Sequence, residues 1–259
     1  MGIFFLLIAG LGALGRTETA WKESPSPHFR IYHAARALPS GITIGLEKMH
    51  AKLRLHLGLF APWMSKEKIN LYIYQNEADY KNGEFKPPAW SKGVSSVEKN
   101  AVVLYTENDR ENFFKTATHE LTHLLFAGYF GARRERLPRW LEEEVAMLME
   151  DLAATDSKTA VWLAAMKNKE AWTPESLKQF MKASPFQDAS TKSVSNWYIQ
   201  AYSLSRYLFI EKGRIKFKVF CDHLARGDSE EKALQAAYFL SNYNDFEWSW
   251  REWLKSRQK

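Results

Sequence analysis

Apolar positions recur with two different periods along the chain, and the change between them falls near Tyr105. Phe29-Arg30-Ile31-Tyr32 alternates as a half-buried strand does. Leu46, Met49, Leu53 and Leu57 then return at helical spacing until Gly58. Ile69-Asn70-Leu71-Tyr72-Ile73-Tyr74 alternates again, and Ala101–Tyr105 is a short apolar run after a Gly-, Pro- and Ser-containing stretch. Both read as strands of one small sheet. Beyond Tyr105 the period is helical throughout. Asn108 with Glu111 suggests a capping box, followed by Phe114, Ala117, Leu121, Leu124 and Leu125 up to Gly128. Pro138 suits the first turn of another helix, whose Leu141, Val145, Leu148 and Leu152 form one stripe. Further helices are predicted over about 158–168, 174–183, 196–211, 214–226, 229–239 and 245–256. The picture is α+β: an α/β half over 28–108 and a mainly helical half over 109–259.

The first residues, MGIFFLLIAGLGALG, carry no charged side chain. Gly2 to Gly15 is too short to span a bilayer of about 30 Å as a helix, so residues 1–15 read as the apolar region of a signal peptide. Ala13 and Gly15 offer small residues for cleavage before Arg16, although no Lys or Arg precedes the apolar run. Left uncleaved, the same segment would anchor the chain to a membrane. Either way the expected location is secreted, periplasmic or in the cell envelope. Residues 16–27, polar and Pro-containing, are expected to be a linker, with the folded unit of 28–259 beginning near His28.

Composition narrows the chemistry. Of the 259 residues 46% are hydrophobic, and ten Trp, sixteen Phe and eleven Tyr supply a core without help from metal or disulfide. The net charge of +6 comes from cations scattered among acids, as in Arg133-Arg134-Glu135-Arg136, with no basic stripe, so no nucleic-acid partner is expected. With Cys221 as the only cysteine, an intrachain disulfide and a Cys-pair zinc site are both excluded. There is no Gly-rich phosphate loop and no G-x-S-x-G elbow.

His119-Glu120-Leu121-Thr122-His123 is an H-E-x-x-H sequence inside the strongest helical pattern of the chain. Histidines four apart share one helix face and can grip one cation, while Glu120 lies one step round, beside the water to be activated. A catalytic zinc needs a third protein ligand, and no His stands between His123 and His223. A carboxylate from Glu142-Glu143-Glu144 is the candidate; successive residues turn about 100°, so only one of the three can point squarely at the metal.

Taken together, H-E-L-T-H and Leu137-Pro138-Arg139-Trp140-Leu141-Glu142-Glu143-Glu144-Val145-Ala146 resemble the peptidase MA-like family of gluzincins. The resemblance implies a zincin-like fold: a small mixed sheet over the active-site helix and a C-terminal helical subdomain. The family's second motif, P-x-W-L-x-E-G-x-A, implies Glu143 as third zinc ligand, and the 19 residues between His123 and Glu143 match the thermolysin-type spacing. Glu142 is the runner-up. Glu144 stands where the family has Gly, a carboxylate expected beside the site that would alter substrate charge preference or crowd the cleft.

The implied activity is zinc-dependent hydrolysis of peptide or protein substrates, with Glu120 as general base. The alternative is a zinc-binding, non-hydrolytic envelope protein of the same fold. Tyr198-Ile199-Gln200-Ala201-Tyr202 resembles the family's Y-x-Q-A helix, which makes Tyr198, then Tyr202, candidate donors to the oxyanion, with His223 in reserve. In zincins the strand before the catalytic helix is an edge strand that pairs with extended peptides; Gly93–Val97 or Ala101–Leu104 would serve. His28, His33, His50, His56 and His223 have no partner at ligand spacing. Trp248, Trp250, Trp253 and Cys221 are expected in the core.

Overall fold

A computed structural model describes residues 19–153, 160–168, 170, 172–181, 191–240 and 242–258. The apolar segment 1–15 lies outside them. Among the described residues no helix is long and apolar enough to cross a membrane.

The architecture is α+β, with a five-stranded mixed sheet followed by a helical region. Strands β1 (Lys22–Pro25), β2 (Phe29–His33), β3 (Ile69–Tyr74), β4 (Gly93–Ser96) and β5 (Ala101–Tyr105) lie in the order β1-β2-β3-β5-β4. The central pairs β2–β3 and β3–β5 are parallel, and the outer pairs β1–β2 and β4–β5 antiparallel. Every residue of β5 is buried because both of its faces are covered. Val102 and Leu104 meet α1 (Ile42–Leu57) and α3 (Arg110–Phe130) in the main core, while Val103 and Tyr105 join Tyr74 and Tyr80 under α2 (Glu77–Asn82).

The polar run expected as a linker over 16–27 contributes β1, whose Lys22, Glu23 and Pro25 are exposed. A polar edge strand shows no alternation, so pattern alone does not reveal it. Helix α3 is capped by Asp109 rather than by an Asn108 box; the Asp109 side chain accepts from the Glu111 N–H. A short 3₁₀ segment, Gly131–Arg136, turns the chain back into α4 (Arg139–Ala153), which packs along α3. There follow α5 (Val161–Lys167), the single turn α6 (Leu177–Phe180), and α7 (Thr191–Arg206), which ends in a π turn over Tyr207–Glu211. Helices α8 (Arg214–Arg226), α9 (Glu230–Tyr238) and α10 (Tyr243–Arg257) complete the helical region around Tyr207, Phe217, Phe246 and Trp250. Cys221 and Trp250 are buried and Trp253 is half-buried against Tyr207. Trp248, by contrast, is 69% exposed: two residues turn a helix by about 200°, so the face that buries Trp250 turns Trp248 outward.

Close backbone approach fixes α3 against its neighbours. A Cβ on Gly45 of α1 would lie 2.1 Å from the Phe114 ring, and one on Gly93 of β4 would lie 2.7 Å from both Glu120 Cγ and Leu104 Cδ2. Gly93 thus lets the edge strand rest on the turn of α3 that carries Glu120. Gly93→Ala should lower stability by about 1–3 kcal/mol through overpacking, read by chemical denaturation. An unchanged midpoint would show that β4 is not held against α3 as tightly as described.

Candidate active site

The i, i+4 geometry of α3 puts the His119 and His123 rings side by side, and the antiparallel return of α4 brings Glu143 across from them. His119 Nε2 and His123 Nε2 are 3.0 Å apart, and Glu143 Oε2 lies 3.7 Å from the first and 3.9 Å from the second. A tetrahedral zinc with ligands at about 2.0–2.1 Å has ligand–ligand separations of about 3.3–3.4 Å. The triangle brackets that value. Two imidazoles and one carboxylate are also the donor set of a catalytic gluzincin-type site, so the residues present fit zinc, and together they form a three-ligand group able to hold a metal ion.

The other ring nitrogens face carboxylates. Glu150 Oε1 is 2.6 Å from His119 Nδ1, and Glu150 Oε2 is 3.4 Å from the Lys115 ammonium. Glu142 Oε1 lies 3.6 Å from His123 Nδ1. The Glu150 hydrogen bond at His119 Nδ1 fixes that ring's tautomer and aims its Nε2, the usual support for a metal-ligating histidine, whereas Glu142 stands beyond hydrogen-bond distance of His123. Glu142, the runner-up ligand, therefore stands behind His123 rather than beside the ligand triangle. Glu150 was not foreseen. The available signal was its spacing from Glu143: seven residues, two turns along the same helix face.

Electrostatics follow from this crowding. Burial lowers the His119 pKa, but the hydrogen bond to Glu150 and the charges of Glu150, Glu120 and Glu143 outweigh it and carry the pKa up to about 9. A site that draws in a proton this strongly also draws in a cation, and the two compete. The Glu120 carboxyl is pushed up by burial and by Glu143, against the two imidazoles and a hydrogen bond with Ser95 of β4. A raised pKa suits a group that must accept and then release a proton.

These groups open into a cleft of about 540 Å³. Glu120, His119 and His123 form its floor, Gly93, Val94 and Ser95 of β4 one wall, and Trp162 of α5 lines it as well. Of the two strands expected to pair with a peptide, β4 has an open edge, whereas β5 is enclosed between β3 and β4.

The tyrosine pair separates. Tyr198 is half-buried against Trp162, near enough to Glu143 and Glu144 for their charges, with burial, to raise its pKa. Tyr202 is fully buried; its hydroxyl meets Arg206 at 3.4 Å and Asp151 rather than the cleft, so its assignment as a donor is corrected. The Glu144 expectation is corrected too. Its side chain is fully buried toward α7, 3.4 Å from the Ser205 hydroxyl, and burial pushes its carboxyl well above the usual range. It does not crowd the cleft. His223 pairs with Asp228 at 2.7 Å.

A second His/Glu group, His28, Glu47 and His50, also gathers, against the expectation that these histidines lack partners. The rings of His28 and His50 stack at 4.0 Å and 17°, so their in-plane lone pairs do not converge. Glu47 hydrogen-bonds His28 Nδ1 at 2.6 Å, and His50 Nε2 donates to the Met64 carbonyl. This group is a hydrogen-bonded tie between β2 and α1.

A family model for the peptidase MA superfamily matches residues 51–256. The match runs from within α1 into the last turn of α10 and includes both site helices, and the chain belongs to that superfamily, with the peptidase-type function it implies. No curated protein matches the chain.

The geometry ranks the three acids by their effect on zinc affinity, measured against a competing chelator. Glu143→Ala should abolish stoichiometric binding, Glu150→Ala should weaken it about 10–100-fold, and Glu142→Ala should weaken it less than Glu150→Ala. Loss of zinc in Glu142→Ala with retention in Glu143→Ala would reverse the assignment.

Proposed function

We propose that this member of the peptidase MA superfamily is an exported zinc metallopeptidase that hydrolyses peptide bonds. The observation that carries the reading is the triangle of His119 Nε2, His123 Nε2 and Glu143 Oε2 with Glu120 beside it in one cleft. Zinc held by these three side chains would supply a Lewis acid that polarises the scissile carbonyl and lowers the pKa of water toward about 7.

The chain's own residues do the rest. An extended substrate pairs with the open edge of β4 across Gly93, Val94 and Ser95, which lays its scissile carbonyl over the α3 floor. Glu120 takes a proton from the attacking water as oxygen bonds to the carbonyl carbon. It then delivers that proton to the amide nitrogen, the carbon–nitrogen bond breaks, and the amine leaves. The Ser95 hydrogen bond holds the Glu120 carboxylate between strand and substrate. Glu150, anchored by Lys115, keeps His119 oriented through the cycle. Tyr198 donates to the oxyanion from the α7 side. The argument for a non-hydrolytic relative rested on Glu144, and that side chain is turned into the core.

The direct test is cleavage of a mixed peptide library with and without a chelator; metal-bound protein that cleaves nothing would defeat the proposal. Glu120→Gln keeps size but removes basicity, so zinc should stay while kcat collapses. Near wild-type turnover would exclude the role. Tyr198→Phe should lower kcat about a hundredfold to a thousandfold with zinc retained, whereas Tyr202→Phe should act on thermal stability first. Equal, wild-type turnover in both variants would place the donor elsewhere.

A further inference from the structure

Away from the cleft, exposed large apolar side chains gather around the first turn of α8. Leu55 is 66% exposed, Ile215 75% and Phe239 84%. They belong to three different helices or helix ends, and side chains of one tripeptide tie them together. The Arg214 guanidinium donates to the Leu55 carbonyl, joining the end of α1 to the start of α8. The Lys216 ammonium lies 5.6 Å from the Phe239 ring centroid, joining the end of α9 to the same turn. Ile215 stands between these two ties.

The backbone adds a second sign. Phe239 closes α9 at φ +58°, the left-handed position that helices normally give to Gly. Its backbone N–H closes the last turn on the Gln235 carbonyl, a task Gly would perform without strain, while the bulky ring is left 84% exposed and adds nothing to the core. Local rules broken in this way mark functional surfaces.

Charge then selects the partner. The segments 53–60 (LRLHLGLF) and 212–219 (KGRIKFKV) contain five cations and no Asp or Glu. Asp222 of the same helix pairs only with the outermost of these, Lys218, at 2.7 Å. The centre of a protein–protein interface is depleted of charge, whereas each exposed apolar side chain here has Arg54, Arg214 or Lys216 as a chain neighbour or contact. Apolar side chains interleaved with Lys and Arg are the pattern of a surface that lies on a bilayer.

We propose that the Leu55–Ile215–Phe239 face docks on membranes with anionic headgroups, its apolar side chains entering the headgroup–acyl boundary and Arg54, Arg214 and Lys216 meeting the phosphates. This face is separate from the cleft, so it stands or falls independently of the peptidase reading.

The test uses the full chain with Phe239→Cys carrying an environment-sensitive fluorophore; Cys221 is buried, so labelling is selective. A probe at position 239 reads this face rather than the N-terminal apolar segment. Vesicles of phosphatidylglycerol and phosphatidylcholine should shift its emission to the blue, with roughly tenfold weaker response on phosphatidylcholine alone and progressive loss as salt rises. Lys216→Glu and Ile215→Ser should each weaken the response severalfold at unchanged thermal stability. If Phe239→Cys does not fold, the label moves to Ile215→Cys with the same expectation. A probe that stays in water on anionic vesicles, responds equally to both lipids, or shifts without vesicles as protein concentration rises, the mark of a second copy, would overturn the proposal.

Discussion

The seam between α3 and α4 concentrates ionisable groups that proteins ordinarily keep apart. Within two turns of each helix it holds His119, His123, Glu120, Glu142, Glu143 and Glu150, and the last of these touches His119 at 2.6 Å. Such a cluster survives only where each charge has a partner and the surrounding frame cannot relax. The frame is supplied by the opposite faces of the same helices. Leu121, Leu124 and Leu125 of α3 and Leu141, Val145 and Leu148 of α4 are buried in the main core, so neither helix can rotate its acidic or imidazole face away. The sheet contributes the third side. Gly93 brings β4 so near α3 that Ser95 reaches Glu120, which couples the open edge of β4 to the carboxyl beside the histidine pair.

Much of this was legible in the sequence because it is local. The i, i+4 histidines, the apolar stripes of α3 and α4 and the strands β2, β3 and β5 all follow from spacing within one element. Singling out Glu143 as the candidate third ligand needed the resemblance as well, since three consecutive glutamates differ only by 100° steps. That same rotation separates their fates: Glu142 stands behind His123, Glu143 faces the ligand triangle and Glu144 enters the core against Ser205. Adjacency in sequence had suggested that all three shared the cleft.

What stayed hidden depended on contacts between distant segments. Glu150 acquires its role from His119, 31 residues away, and from the way α4 folds back along α3. Tyr198 and Tyr202 sit on one side of α7, yet Tyr198 stays half-buried beside Trp162 of α5 while Tyr202 is fully buried against Asp151, and only that packing separates them. Strand β1 escaped because an edge strand that faces water has no apolar alternation to read. The apolar and basic face around Ile215 was likewise invisible, since its three exposed side chains lie more than 20 residues apart and meet only through Arg214 and Lys216.

The central claim is that His119, His123 and Glu143 jointly hold one zinc ion. X-ray absorption at the zinc edge, on protein reconstituted with one equivalent of zinc, tests it without reference to any substrate. The account predicts a single tightly bound zinc with about four nitrogen and oxygen neighbours near 2.0–2.1 Å and outer-shell scattering from two imidazoles. A shell lacking two imidazoles, or zinc that washes out at one equivalent, would contradict it.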